Sequence, residues 1–473
     1  MGIENNLGIL SMLPVALTLI FAFWTREAVF SLIIGCLVGV IIAGFDPATG
    51  FKKLFLLALG NEDFVWVMMI EVTVGIMVAF YLRAGVIASF TEWASTKIKT
   101  RRAASGFGWI LGVFVFFSDY FSPIFSGPIV RPLTDKYRIS REMLAYELDS
   151  GAGPVCTLVP LSGWAVYLAG LFKGYGPIKT ARDGIDLFTR SIPYNFYGWL
   201  AIIFCGLIAL QIIPNFGPMK KAEFRAKNEG KVLRDGATPL TGEEMQQIGT
   251  LPGKKANLFI YLFVPIIIML TIAAGSFITL HNTKILEAFF AAVMYQAVAM
   301  SLGGYFKNVK DGMDIVVKGI KSVLPAILIL ALAYCINTLS KELGTQQYII
   351  SITRAWMTTT MLPVIAFLTS AFISFFTGTS WGTYAITIPF VMPIAFNLSK
   401  GAITPMILAT VGGLIGGGLF GDHCSPVSDT TCLSSFGAAD DHMDHVTTQL
   451  PYALFCAGVT IVLFILVGII NLQ

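Results

Sequence analysis

Charge is what this sequence has least of: of 473 residues only 13% are Asp, Glu, Lys or Arg, against roughly a quarter in an ordinary soluble domain. A soluble chain of this length could bury a large core but would still need a charged surface, and this one cannot supply it. No basic residue precedes the first apolar run and no small-residue cleavage site follows it, so Leu7–Trp24 reads as a retained helix and not as a signal peptide. There is no CxxC pair. Most of the 7 cysteines (Cys36, Cys156, Cys205, Cys335, Cys456) sit inside apolar runs, which argues against a disulfide framework or a zinc site and for small buried hydrophobes. Strict apolar–polar alternation is also missing, which argues against a membrane β-barrel.

What the sequence does have is long stretches free of charge. Leu7–Trp24, Ala28–Phe45, Ser150–Phe172, Ser191–Phe216, Ala256–Asn282, Ala355–Ser399 and Val446–Gln473 contain no Asp, Glu, Lys or Arg. A helix needs roughly 20 apolar residues to cross the hydrocarbon layer. On that criterion the chain is an all-α polytopic membrane protein with about 11–13 transmembrane helices and half-helices. Basic residues mark cytoplasmic loops, and they cluster at Lys97–Arg102 and between Lys220 and Lys255. Neither cluster is interleaved with aromatics in the manner of a nucleic-acid site, so no nucleic-acid partner is expected. The polar stretch 216–257 reads as a cytoplasmic linker, with a short amphipathic helix over Met219–Lys231, between an N-terminal membrane half (1–215) and a C-terminal one (258–473).

The two halves resemble each other. In the first, an apolar run ends at Phe116-Phe117-Ser118-Asp119, followed by Ser126-Gly127-Pro128 and later by Asp149-Ser150-Gly151-Ala152-Gly153-Pro154. In the second, a run ends at Phe375-Phe376-Thr377-Gly378-Thr379-Ser380, followed by Pro389 and later by Gly421-Asp422-His423-Cys424-Ser425-Pro426-Val427-Ser428-Asp429. Gly and Pro interrupt helices, and unwound backbone at membrane depth is tolerated only inside protein or along a cavity. Broken segments in corresponding positions point to a transporter's binding site at the interface of an inverted repeat near mid-membrane.

Acids in these breaks carry the chemistry. Asp119 lies in the apolar stretch Ala103–Val130, where a carboxylate costs on the order of 2.5–3.5 kcal/mol to insert. Asp149 starts the next break and reads either as an N-cap for a helix beginning near Pro154 or as a cavity ligand. Asp422, Ser425, Ser428, Asp429, Thr430 and Thr431 form the densest cluster, a set of hard oxygen donors suited to sodium. Ser150, Ser380 and Thr383 add hydroxyls beside the breaks, and His423 stands in the same run. The pair His423–Cys424 lacks the further ligands a zinc site needs. Asp440-Asp441-His442-Met443-Asp444-His445 has metal-like composition but precedes the last span, so it reads as a hydrated loop or helix cap. Glu71 is a further intramembrane acid and a candidate relay. Trp164, Tyr167, Trp381 and Tyr384 either line a pocket or anchor the chain at the membrane interface.

The run Gly421–Thr431 resembles the signature of the NhaC-type Na+/H+ antiporter family, part of the ion transporter superfamily. Arg131–Asp135 with Ile139–Glu142, Asp149-Ser150, Pro193–Tyr197, Phe216–Met219, Leu343–Thr345, Gly378–Thr383 and Thr447–Tyr452 extend the match in family order. The resemblance implies helical hairpins meeting near mid-membrane and sodium and protons as coupling ions, with no other cofactor. Family members often carry a pair of acids at the first break, where this chain has Ser118 before Asp119. The expected function is therefore a secondary, cation-coupled Na+/H+ antiporter, with sodium at Asp422, Ser425, Asp429 and Thr430. The alternative is a sodium- or proton-coupled transporter of an amino acid or small carboxylate metabolite. Neither reading is an enzyme. The expected setting is the bacterial inner membrane, multi-pass, with the lipid bilayer and a small ion or metabolite as partners and room for a homodimer. Cys424→Ser should leave transport nearly intact, since a thiol is a weak sodium ligand; abolition of activity in vesicles by that change alone would favour Cys–His chemistry instead.

Overall fold

The computed structural model of the protein describes residues 7–25, 27–60, 62–116, 119–160, 162–240, 248–251, 254, 256–280 and 284–470. Ser118 and linker residues 241–247 lie outside them. Among the described residues the chain is helical, with no β-strand beyond one isolated bridge between Pro239 and Asp441. The first half contains α1 Leu13–Thr25, α2 Ala28–Ile42, α3 Pro47–Leu59, α4 Glu62–Ala84, α5 Val86–Lys97, α6 Arg101–Phe114, α7 Phe121–Lys136, α8 Arg141–Ser150, α9 Gly153–Cys156, α10 Gly163–Phe172, α11 Ala181–Ser191 and α12 Phe196–Ala209. The linker holds α13 Gly217–Glu229. Then follow α14 Val264–Leu280, α15 Ile285–Leu302, α16 Val309–Ser322, α17 Leu324–Glu342, α18 Thr345–Thr353, α19 Leu362–Thr377, α20 Ser380–Leu398, α21 Pro405–Cys424, α22 Asp429–Ala438 and α23 His442–Ile470.

Seven described helices are long and apolar enough to cross a membrane, or up to nine when each of two bent pairs is taken as one span. In the first pair α2 and α3 meet at 108°, and in the second Arg182–Tyr194 meets Phe196–Ala209 at 51°. Residues such as Phe290, Met294 and Val298 on α15 leave an apolar stripe exposed, as lipid contact requires. By contrast α21 is 83% buried, against 33% for α23, which places α21 at the protein's centre.

The same order of elements occurs on both sides of the linker. α6 packs against α7, and α19 against α20, so each half has a hairpin whose tip is one of the breaks. Both return arms carry two prolines one turn apart, Pro128/Pro132 in α7 and Pro389/Pro393 in α20. After each hairpin comes a broken helix: α8 stops at Ser150 and resumes as α9, and α21 stops at Cys424 and resumes as α22. The elements also interlock across the halves, α4 packing on α15 and α16 while α17 packs on α2 and α3.

Two devices bring these pieces together. Glycine lets backbones touch: a Cβ at Gly413, Gly417 or Gly421 would fall 2.5, 2.1 or 2.3 Å from backbone atoms of α19. Gly127 of α7 and Gly437 of α22 meet in the same way, each Cβ position 2.4 Å from backbone of the opposite helix. Ion pairs tie the other end: Arg101 to Glu223 at 2.6 Å, Arg225 to Glu142 at 2.9 Å, and Arg141 to Asp135 at 2.6 Å. These pairs bring Lys97–Arg102 and the linker to one basic face. Arg141 also donates to Ala438 O and Ala439 O, closing the C-terminus of α22. Gly417→Ala should therefore wedge α21 off α19 and destabilise the protein by about 1–3 kcal/mol. Thermal unfolding in detergent checks this, and an unchanged midpoint would mean that the helices separate without strain.

Candidate functional site

The four breaks converge, and Asp422 lies where two of them meet. It sits in the last turn of α21, 4% exposed. Ser380, the first residue of α20, donates to its Oδ2 at 2.6 Å. Ser428, the N-cap of α22, donates to Oδ1 at 2.7 Å, and Thr430 donates to the same oxygen at 3.2 Å. Asp422 thus faces the N-termini of two helices, whose unpaired amides and dipoles favour negative charge. Gly378 makes this approach possible. It ends α19 with φ +69°, and a Cβ there would lie 2.1 Å from Val427 O.

Asp119 and Asp429 are brought to the same place by the first hairpin. Trp381 Nε1 donates to Asp119 Oδ2 at 3.4 Å, and the Tyr120 amide donates to Asp119 Oδ1 at 3.2 Å. Tyr120 reaches across with its hydroxyl 2.8 Å from Asp429 Oδ2, while the Thr430 amide donates to Asp429 Oδ1 at 2.8 Å. The tip of the first hairpin therefore touches both the second hairpin and the second broken helix. Among the described residues no Lys or Arg forms an ion pair with Asp119, Asp422 or Asp429.

Asp149 corrects one expectation. Helical backbone continues through Ser150, so Asp149 lies in the last turn of α8, and the N-cap of α9 is Ala152, which makes no side-chain cap. Its Oδ2 accepts from Thr431 at 3.2 Å and from Gln449 Nε2 at 2.7 Å. Ser150 Oγ lies 3.0 Å from His423 Nε2, and Tyr197 OH lies 2.9 Å from His423 Nδ1, so both ring nitrogens of that histidine are engaged within the protein.

Two expected ligands bond elsewhere. Thr383 donates to Thr379 O at 2.7 Å, one turn back on its own helix, and Ser425 donates to Phe375 O at 2.7 Å, clipping the break to α19. The stretch Asp440–His445 is a second correction. It caps α23 as expected, with Asp441 accepting from the Met443 and Asp444 amides, but it is buried and not hydrated, because the linker lies across it. Trp164 and Trp381 stack at 4.2 Å between centroids beside Tyr167 and Tyr384, forming a packed aromatic cluster against Asp119. Glu71 is fully buried, and among the described residues neither carboxylate oxygen has a hydrogen-bond partner.

Tyr120, Tyr197, His445 and Gln449 belong to this network but were not among the expected site residues. The spacing of His442, His445 and Gln449 on one face of α23 was the available signal.

Residues 155–469 match the family described as the Na+/H+ antiporter family. An uncharacterized protein of Haemophilus influenzae is 30% identical over 98% of this chain and 92% of its own length. The malate-2H(+)/Na(+)-lactate antiporter of Bacillus subtilis is 29% identical over 36% of each chain, and that organism's Na(+)/H(+) antiporter NhaC is 26% identical over 43% of each. The bridge from the first hairpin to the second broken helix can be tested without assigning it a role. Tyr120→Phe strands an Asp429 oxygen and should cost about 1–3 kcal/mol. In a double-mutant cycle with Asp429→Asn, strictly additive effects on thermal stability would show that the two side chains do not interact.

Proposed function

The chain belongs to the Na+/H+ antiporter family, and from that premise we propose that this cation antiporter exchanges sodium for protons at Asp422. The observation that carries the proposal is the shell of Asp422, which is made of hydroxyls at two helix N-termini with no cationic side chain paired to it among the described residues. A carboxylate in such a shell is open to a cation from outside. Sodium would take the Asp422 oxygens together with lone pairs of Ser380, Ser428 and Thr430, whose protons rotate away, and Asp429 would complete the set. A proton would instead neutralise the carboxylate and remove its attraction for sodium. One group holding either ion but not both is the physical basis of exchange. Asp119 and Asp149 come from the other half and set the surrounding charge.

The expected setting is the cytoplasmic membrane of a bacterium, with the basic face on the inside. A metabolite-carrying reading draws on the name of the malate and lactate relative, and no contact in this site favours it.

Inverted vesicles holding a pH gradient, followed with a pH-sensitive dye, test the proposal. Adding sodium should collapse the gradient, and Asp422→Asn should lower that response at least tenfold. An intact response in Asp422→Asn would remove Asp422 from the mechanism. Shared occupancy predicts a second result: where the proton competes, apparent sodium affinity should weaken by roughly tenfold per pH unit of acidification. Calorimetric sodium titrations at several pH values measure this, and a flat affinity would separate the proton site from the sodium site.

A further inference from the structure

A second polar chain lies behind the ion site, built of side chains that sodium binding does not use. Gln449 Nε2 donates both to Asp149 Oδ2 and to the backbone oxygen of His423, which fixes the amide orientation and turns Oε1 the other way. Oε1 meets His445 Nε2 at 2.7 Å, so that nitrogen carries a hydrogen. His442 Nε2 faces Pro426 O at 2.9 Å, and a carbonyl only accepts, so this nitrogen carries one too. With both rings neutral, both Nδ1 atoms hold lone pairs. Both point at one hydroxyl: Ser435 Oγ is 2.8 Å from His445 Nδ1 and 3.1 Å from His442 Nδ1. That hydroxyl has a single proton, which Thr431 O also faces at 2.9 Å. The cluster is one proton short, and it is fully enclosed, Ser435, His445 and Gln449 each being 0% exposed.

We propose that His442, Ser435 and His445 form a proton relay between the basic face and Asp149. The proposal rests on the sodium–proton reading above. In the inward step the His442 ring turns out to take a proton on its free Nδ1 and turns back, and this Nδ1–H is passed to Ser435 Oγ as Ser435 gives its own proton to His445 Nδ1. His445 Nε2–H then passes to Asp149 Oδ2, 3.7 Å away, once Gln449 swings aside. One proton enters and one leaves; His442 ends as it began, with its hydrogen on Nε2, whereas His445 ends in the opposite tautomer and resets by rotation. Charged and titratable groups reach the pair from three directions: Asp149 on α8, His423 on α21, and Asp441 beside His442. Asp441 is in turn held by Thr238 at 2.9 Å and by Arg234 at 3.7 Å, so the linker covers the relay's outer end.

Two transport modes in proteoliposomes separate the relay from the sodium site. Sodium-for-sodium counterflow with radioactive sodium needs no proton, whereas sodium-driven proton movement does. His442→Gln should leave counterflow within twofold of the wild type and slow proton movement at least tenfold. Ser435→Ala, a smaller change, should show the same split. Equal loss in both modes for both variants would make the cluster merely structural, and full proton movement in both would remove it from the path. Wild-type protein with no sodium counterflow would instead overturn the sodium reading itself, and the relay with it.

Discussion

A helix broken inside an apolar layer leaves carbonyls that water cannot satisfy, and the site is built from the solution to that problem. Pro426 ends the ladder of α21, and carbonyls of its last two turns and of the break take side-chain donors. Gly418 O takes the Ser374 hydroxyl at 2.6 Å, Asp422 O takes Thr431 at 3.0 Å, His423 O takes the Gln449 amide and Pro426 O faces His442 at 2.9 Å. On the other broken helix, Gly151 O accepts from Ser122 at 3.2 Å and Cys156 O from Ser162 at 2.7 Å. Each donor fixes a neighbouring element against the break. The hydroxyls and amides in these segments are there first to satisfy backbone, and those left over surround the acids.

That division explains which polar residues can meet an ion. Ser425 and Thr383 are committed to carbonyls, whereas Ser380, Ser428 and Thr430 give their protons to Asp422. A hydroxyl bonded to a carboxylate can reverse, offering a lone pair to a cation in place of its proton. One bonded to a carbonyl cannot do so without orphaning it. His423 falls in the committed group, because Tyr197 and Ser150 occupy both ring nitrogens. The same accounting gives the cluster around Ser435 its character, since there the lone pairs outnumber the protons.

Much of this was legible in the sequence. Gly and Pro mark the breaks, isolated acids stand out against charge-free runs, and the linker helix expected over Met219–Lys231 lies at Gly217–Glu229. Composition could not say which way a side chain points. Thr383 resembles Ser380 in sequence, yet its hydroxyl folds back onto its own helix. Asp149 resembles an N-cap because Pro154 follows, but the chain stays helical through Ser150, up to the first glycine. Asp440–His445 looks hydrated by its charge and is buried because Arg234 and Thr238 come from more than 200 residues away to cover it. Tyr120 meets Asp429 across 309 residues, and no local pattern encodes such a meeting.

The packing of the broken helices ties ion geometry to movement. α21 is gripped by α19 along its glycine face, whereas α22, its continuation, is gripped by α7 through Gly437 and Gly127. α8 packs on α6 and α7, whereas α10, beyond the other break, packs on α20. The second broken helix therefore has one arm held by each hairpin, and the chain from α8 to α10 likewise runs from the first hairpin to the second. Close-packed backbone contacts resist stretching, so any displacement of one hairpin against the other must be absorbed in the unwound segments Gly151–Ala152 and Ser425–Ser428. Asp149 and Asp422 stand at the edges of those segments, and their partners Thr431, Ser428 and Thr430 lie on or just beyond the second one. A shift of the hairpins then changes the distances around both acids. The spacing of the donors around the two acids and the arrangement of the two hairpins are by this construction one variable.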